Sequence, residues 1–175
     1  LRTPGPGTEF YSLREYVPGD PFKNINWKAF ARTGDLMINE KCRDAVTDLY
    51  IILDSRDIAR IGTVLKNPLE MGTVAAASLA SFFLKRRDSV SLTIYDERLS
   101  FLPPDTGDKQ YFKILSSLAG VAPKGTMPLQ AVTNSLAARF SRGSPVFIIS
   151  SCEGDGTVPS AVRDLVGRGH EVTVL

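Results

Sequence analysis

From residue 47 onward, short apolar runs alternate with longer segments of helical periodicity. Leu49–Leu53 and Val146–Ile149 are continuous apolar runs, which are typical of strands buried on both faces of a sheet. The segment 90–95 alternates apolar and polar residues and is followed by a short strand at 99–102, which predicts a hairpin ending at Pro103-Pro104. Helices are predicted at 69–84, about 108–119, about 128–141 and 158–167. This order predicts an α/β fold with a mainly parallel, Rossmann-like sheet and helices on both faces.

The first 46 residues lack this alternation. Residues 1–8 are rich in Pro and Gly and predict a linker, whereas residues 9–46 interleave aromatic and charged side chains in an irregular extension that we expect to pack on the α/β domain. Asp20 before Pro21 has the form of a helix N-cap, and Asn26 has the position of a second cap for a short helix that ends at Gly34. The predicted division is linker 1–8, extension 9–46 and α/β domain 47–175, with the last domain expected to be truncated at its C-terminus.

Composition excludes several classes of protein. The net charge of +2 comes from interspersed basic and acidic residues, so it gives no sign of nucleic-acid binding. Cys42 and Cys152 form no CxxC pattern and suit a reducing compartment. No run of about 18 apolar residues occurs, so this stretch of chain is not expected to span a membrane.

The usual enzyme motifs are absent from the sequence. It contains no GxSxG, GxGxxG or GxxxxGK[ST] pattern, and its only histidine, His170, lies in a predicted turn. The residues 153–157 precede a helix but carry two carboxylates, so we interpret them as a plain loop. A metal-dependent centre built on Asp20, Glu40 or Asp54 stays open as an alternative, although Glu40 and its neighbour Lys41 should point to opposite faces of one strand.

The stretch from residue 9 to residue 32 resembles the signature of domain-of-unknown-function family 58. Four motifs occur in the order and spacing of that family: Leu13-Arg14-Glu15-Tyr16, Pro18-Gly19-Asp20, Ile25-Asn26-Trp27 and Ala31-Arg32. The chain departs from the common pattern at Lys23, Asn24 and Asn26, where the family usually has Arg-Arg and then Asp before the Trp. The resemblance extends to the end of the chain and implies a von Willebrand factor A-like α/β domain.

Domains of that kind often carry a metal-ion-dependent adhesion site, made of Asp-x-Ser-x-Ser, a Thr and a second Asp, whose oxygens suit Mg²⁺. By the resemblance, Asp54 keeps the first carboxylate, whereas Arg56 and Ile58 replace the two serines. Thr126 keeps the loop hydroxyl, and Ser151 replaces the second carboxylate. We therefore expect a degenerate site without a tightly bound metal or cofactor, in which Arg56 places its own cation near Asp54.

The resemblance also implies a function. Such proteins are similar to partners of MoxR-type AAA+ ATPases and are often membrane-anchored, which predicts a cytoplasmic, non-enzymatic adaptor domain in the assembly or maturation of other proteins. Aromatic and arginine side chains dominate protein interfaces. The partner-binding candidates are therefore Arg14, Glu15, Tyr16, Asp20, Trp27, Lys28 and Arg32. A metal-dependent hydrolase or nuclease, and a purely structural domain of a membrane-anchored protein, are the alternatives.

Overall fold

The structure is a computed structural model that describes residues 3–43, 46–57 and 67–175. The chain divides into two compact units, Leu1–Ala45 and Val46–Leu175. Helices in the described part of the chain are too short or too polar to cross a bilayer.

The first unit is built on a two-stranded antiparallel sheet of β1 (Thr3–Glu15) and β2 (Met37–Arg43). A 3-10 helix (Phe22–Asn24) and the short helix α1 (Trp27–Thr33) connect the two strands. As predicted, the side chain of Asn26 caps α1 by accepting a hydrogen bond of 2.8 Å from the Ala29 N–H. The helix ends as predicted at Gly34, whose φ of 82° lies in the left-handed region.

Two local expectations for this unit were wrong. Residues 3–8, expected to be a linker, belong to β1 because a two-stranded sheet leaves one edge of each strand unpaired, where proline does no harm. Pro4 and Glu9 both lie opposite Cys42, so the residues between them bulge out of the register. Asp20 does not cap a helix, and its side chain instead accepts a hydrogen bond of 2.9 Å from the Val17 N–H.

The second unit contains a five-stranded sheet in the order β5-β4-β3-β6-β7. Its strands are β3 (Asp48–Asp54), β4 (Ser89–Tyr95), β5 (Leu99–Asp105), β6 (Pro145–Ile149) and β7 (Glu171–Val174). All neighbouring pairs are parallel except β4 and β5, which confirms the mainly parallel sheet. The strand β5 continues through Pro103-Pro104, where we expected it to end, because it lies at the edge of the sheet.

Helices cover both faces of this sheet, as predicted. They are α2 (Pro68–Lys85), α3 (Gly107–Ala119), α4 (Leu129–Leu136) and α5 (Val158–Gly167), so α4 is shorter than the predicted segment. Successive side chains of a strand point to opposite faces. Leu49, Ile51 and Leu53 of β3 therefore pack with α2 and α3, whereas Tyr50 and Ile52 pack with α4 and α5.

The connections around β3 determine where a site can form. The chain leaves β3 toward β4 on one side and later returns to β6 on the other, so the winding reverses between β3 and β6. Ligands of open α/β sheets bind beyond the carboxyl ends of the strands at such a reversal. Asp54, the last residue of β3, and Ser150, which follows β6, lie at the carboxyl ends of these two strands.

Candidate functional site

A buried ion pair lies at the carboxyl end of β3. Arg56 donates from Nε to Asp54 Oδ1 over 2.9 Å and from Nη2 to Asp54 Oδ2 over 2.6 Å, so the pair is bidentate. Both residues are buried, with 4% of Asp54 and 5% of Arg56 exposed. The cation of Arg56 thus lies against Asp54, in the place expected from the sequence.

Asp155 supplies a second carboxylate to the same guanidinium. Arg56 Nη1 donates to Asp155 Oδ2 over 3.0 Å, and the same oxygen accepts a bond of 2.8 Å from the N–H of Leu129 at the start of α4. The other oxygen accepts from the hydroxyl and the N–H of Thr157, next to the start of α5. The interpretation of residues 153–157 as a plain loop was therefore wrong, because Asp155 joins the β3 loop to two helices.

The hydroxyl at the site comes from Ser150. It donates to Asp54 Oδ2 over 2.6 Å and accepts from the N–H of Cys152 over 3.0 Å. Ser151, which the resemblance places where a second carboxylate is usual, is exposed to solvent. Ile58 lies outside the described residues.

Thr126 is exposed, but its loop is tied to the loop that follows β3. The Lys124 N–H donates to the Ser55 carbonyl over 2.8 Å. Gly125 and Asp57 exchange two bonds, because the Gly125 N–H donates to the Asp57 carboxylate and the Asp57 N–H donates to the Gly125 carbonyl. The predicted threonine loop therefore lies beside the β3 loop.

Tyr95 completes the surroundings of the guanidinium. Its ring centroid lies 5.4 Å from Arg56 Cζ, within the range of a cation–π contact. The Tyr95 hydroxyl is buried and has no hydrogen-bond partner among the described residues. Burial and the charge of Asp54 both raise the pKa of Tyr95, so this side chain is neutral.

The hydrogen bonds decide the charge state of the site. Burial acts to raise the pKa of Asp54, but the bonds from Arg56 and Ser150 outweigh it and lower that pKa overall. Burial acts in the same direction on Asp155, and the bonds from Thr157 and Leu129 again lower the pKa. The bond to Asp54 raises the pKa of Arg56. The site therefore holds two carboxylates and one cation, all ionised.

This arrangement does not fit a divalent ion. The guanidinium fills the space between Asp54 and Asp155, and it uses Nε, Nη1 and Nη2 as donors to their oxygens. In the described part of the chain, no group of three or more His, Cys, Asp or Glu side chains is placed to hold a metal. A strongly paired carboxylate is also a poor general base, since its pKa lies far below neutrality.

In the first unit, Arg14 and Asp20 bind each other. The Arg14 nitrogens Nη1 and Nη2 each lie 2.7 Å from an oxygen of Asp20, which forms a bidentate pair across the Pro18-Gly19 turn. These two candidates for partner binding thus close a turn, in which Gly19 has a φ of 110°.

The other candidates mostly face solvent. Trp27 is 59% exposed and packs edge-on against Phe30 at a centroid distance of 6.2 Å. Phe22 is 69% exposed and stacks on the partly buried Tyr16 at 5.9 Å. Glu15, Lys28 and Arg32 are exposed as well. We use the name signature face for the exposed side chains Phe22, Trp27, Lys28, Phe30 and Arg32.

The pKa of Asp20 tests whether the Arg14–Asp20 pair forms in solution. The hydrogen bond from Arg14, supported by the one from Val17, lowers the pKa of Asp20 to about 2. We expect Arg14→Ala to raise this pKa toward the usual 3.8, with the Val17 bond preventing a full return. Carbon-detected NMR titration of the Asp20 carboxyl measures it, and Arg32→Ala serves as the control that leaves it unchanged.

The lowered pKa of Asp20 also determines the pH range over which the pair stabilises the native state. A carboxyl with a lowered pKa stabilises the native state above its unfolded pKa, and this contribution is lost as the pH falls from about 4 to about 2. The acid side of the stability profile should therefore be flatter in Arg14→Ala over this window. An unchanged Asp20 pKa in that variant would show that the pair does not persist in solution.

The chain resembles several known sequences. The profile of a family described as "Protein of unknown function DUF58" matches residues 12–174. Uncharacterised proteins of Mycobacterium bovis and Mycobacterium tuberculosis are 24% identical over 176 residues, which cover 98% of this chain and 55% of each relative. The chain thus spans about half the length of these curated relatives.

Solved structures show the same fold at low identity. An aerotolerance-related membrane protein from Bacteroides fragilis superposes with a TM-score of 0.60 at 22% identity, over 73% of this chain and 66% of the other. The protein BatB from Bacteroides thetaiotaomicron gives 0.59 at 20% identity, over 73% and 65%. The SpRpn10 VWA domain gives 0.53 at 10% identity, over 74% of both chains. These likenesses confirm the von Willebrand factor A-like fold.

Proposed function

The chain belongs to the DUF58 family of proteins of unknown function, and we propose that it is a protein-interaction domain that docks through its signature face. The observation that carries this proposal is the exposure of large aromatic side chains in the first unit, 59% for Trp27 and 69% for Phe22. Aromatic and arginine side chains are enriched at the centres of protein interfaces, where they contribute most of the binding energy.

The charge of the signature face supports an acidic partner surface. Residues 21–34 contain Lys23, Lys28 and Arg32 but no acidic residue, and all three basic side chains are exposed. Asp20, the nearest acidic residue before them, is held by Arg14. A partner that buries Trp27 would therefore be steered by acidic groups around the pocket that receives it.

We propose a MoxR-type AAA+ ATPase as the partner. In this role the domain is an adaptor in ATPase-assisted assembly or maturation of other proteins, on the cytoplasmic side of a membrane-anchored protein. The support is the resemblance of the signature motifs, together with the description of the Bacteroides fragilis neighbour as a membrane protein. Because the chain covers 55% of its curated relatives, an anchor in the remaining part is compatible with this proposal.

A non-enzymatic role agrees with the state of the carboxylates. The metal-dependent alternative needs carboxylates that converge on an ion, whereas Asp20 is bound by Arg14 and Asp54 by Arg56. The side chain of Glu40 lies outside the described part of the chain. A paired arginine must be displaced before either described carboxylate can act as a ligand, which is unfavourable for Asp54 because that pair is buried.

Trp27→Ala tests the docking face. The side chain is largely exposed, so its loss should leave the stability of the domain within about 0.5 kcal/mol of the wild type. Affinity for a purified MoxR-type ATPase of the same organism, measured by biolayer interferometry with ATP and Mg²⁺ present, should fall about 30-fold, which corresponds to about 2 kcal/mol. Phe112→Ala is the matched control, because Phe112 is 67% exposed on α3 of the other unit.

The outcomes separate the parts of the proposal. Equal affinity of Trp27→Ala and the wild type would exclude the signature face as the docking surface. A wild-type domain that does not bind the ATPase would exclude this partner class. If capture from a lysate also returned no partner that is lost in Trp27→Ala, the purely structural alternative would be favoured.

A further inference from the structure

We propose that the guanidinium of Arg56 takes the place of a metal ion at the carboxyl ends of β3 and β6. It occupies a latent divalent-cation site formed by Asp54, Ser150 and Asp155. The side chain thus does what a bound ion would otherwise do, which is to hold the loops beyond the strands together. These loops are therefore held in place without a metal ion.

The oxygens around Arg56 are the ligands that a hard divalent ion takes. Asp54 presents both carboxylate oxygens, Asp155 presents one, and the Ser150 hydroxyl lies 2.6 Å from Asp54 Oδ2. Mg²⁺ is held in proteins by one or two carboxylates together with water, so two carboxylates and a hydroxyl form a sufficient set. The buried Tyr95 hydroxyl, which lacks a hydrogen-bond partner among the described residues, is a further polar group at this position.

Burial explains why a cation lies at this position. The side chains of Asp54 and Asp155 are each 2% exposed, so without a neighbouring positive charge the ionised form of both carboxylates would be strongly destabilised. The guanidinium provides one positive charge, and the N–H groups of Leu129 and Thr157 provide further donors to Asp155. The planar fork of Arg56 binds both carboxylates at once, which a single point charge from lysine does less well.

The position of the guanidinium explains how distant segments are joined. Asp54 ends β3, Ser150 follows β6, and Asp155 bonds the starts of α4 and α5. Asp54 and Asp155, which make these contacts, both bind the guanidinium of Arg56, and a side chain cannot dissociate as an ion in exchange with solvent can. We therefore expect the arrangement of the loops that follow β3 and β6 to be independent of Mg²⁺ and of chelators.

Replacing Arg56 should uncover the cation site. Arg56→Ser removes the guanidinium, adds a hydroxyl and leaves both carboxylates in place. Its unfolding equilibrium is measured against free Mn²⁺ concentration, with bound Mn²⁺ followed by electron paramagnetic resonance. Above the dissociation constant, each tenfold rise in Mn²⁺ should raise the folding equilibrium constant about tenfold, and chelator should reverse the effect.

Matched variants identify the groups responsible. The wild type should show no Mn²⁺ dependence, and neither should Arg56→Lys, which keeps a positive charge between the carboxylates. The double variant Arg56→Ser/Asp155→Asn should lose the Mn²⁺ response because one carboxylate ligand is gone. It should also be more stable than Arg56→Ser without metal, since it carries one buried negative charge fewer.

Two results would overturn the proposal. The first is a wild-type Mn²⁺ response that disappears in Asp54→Asn, because the guanidinium would then not occupy the cation's position. The second is an Arg56→Ser protein that takes up no Mn²⁺, or that fails to refold even when Mn²⁺ is supplied. In that case the oxygens around Arg56 would not constitute a cation site.

Discussion

Replacing Arg56 by methionine is expected to lower the free energy of unfolding by about 3–5 kcal/mol at neutral pH, because it leaves two buried carboxylates without their cation. Methionine has an unbranched side chain that fills much of the same space, so the loss of packing is small. Arg56 is 5% exposed and Asp54 4%, which means that water does not replace the lost donors. Urea unfolding followed by circular dichroism measures the change, and an unchanged m-value shows that two-state unfolding is retained.

This loss should diminish as the pH falls. In the wild type, the lowered pKa values of Asp54 and Asp155 stabilise the native state above the ordinary carboxyl value of 3.8, and that contribution is lost at lower pH. In the variant, burial without the cation raises both pKa values, so stability is lost as the pH rises through them. The difference between the two proteins is therefore largest near neutrality and smaller near pH 4.

Two further variants separate charge from packing. Adding Asp54→Asn and Asp155→Asn to Arg56→Met should restore part of the lost stability, since the unpaired charges are removed. Arg86→Met is the exposed control, because the Arg86–Asp88 pair has a separation of 3.8 Å and an arginine side chain that is 64% exposed. Its effect should stay within about 0.5 kcal/mol. An Arg56→Met protein as stable as this control would show that the buried pair contributes little.

The sequence was informative where the interaction is local. The apolar run of β3 predicts a central strand because a strand buried on both faces has no polar positions, and the structure places β3 in the middle of the sheet. The contact of Arg56 with Asp54 was also predictable. The two residues are two positions apart in a tight turn after that strand, so their side chains start close together.

The rest of the site depends on contacts that are distant in sequence. Asp155 lies 99 residues from Arg56, and no local pattern links them. The motif Asp155-Gly156-Thr157 before a helix offered one signal, since an aspartate there often accepts from the residue two positions on. The bond from the Ser150 hydroxyl to Asp54 joins residues 96 positions apart, so no local pattern in the sequence indicates it either.

The first unit shows the same limit of prediction from local sequence. Motif order predicted Arg14 and Asp20 as partner-binding residues, yet at a separation of six positions they form a bidentate pair with each other. The exposure of Trp27 could not be predicted from the sequence, because a large aromatic residue is more often buried. The tertiary structure shows its side chain to be 59% exposed. Trp27 is therefore a cleaner probe of docking than Arg14, whose removal also opens a turn.

Gly125→Ala is expected to lower the free energy of unfolding by about 2–4 kcal/mol, because two separate penalties add at this position. Gly125 has a φ of 76°, and the left-handed region costs a residue with a Cβ about 1–2 kcal/mol. The added Cβ would also lie 2.5 Å from the Glu97 N atom and 2.8 Å from the Asp96 carbonyl carbon. These are backbone atoms, so a side-chain rotation cannot relieve the clash.

Gly143→Ala carries only the first penalty, the cost of the left-handed backbone. Gly143 has a similar φ of 73°, but its Cβ would meet no atom within 4 Å, so we expect a loss of only about 1–2 kcal/mol. Urea unfolding of both variants under one set of conditions gives the difference, which is the cost of the contact with residues 96 and 97. The Gly125 backbone bonds Asp57, so the clash should also displace the Thr126 loop from the β3 loop. Equal losses in the two variants would mean instead that this loop yields to the added methyl group and is not held rigidly beside β3.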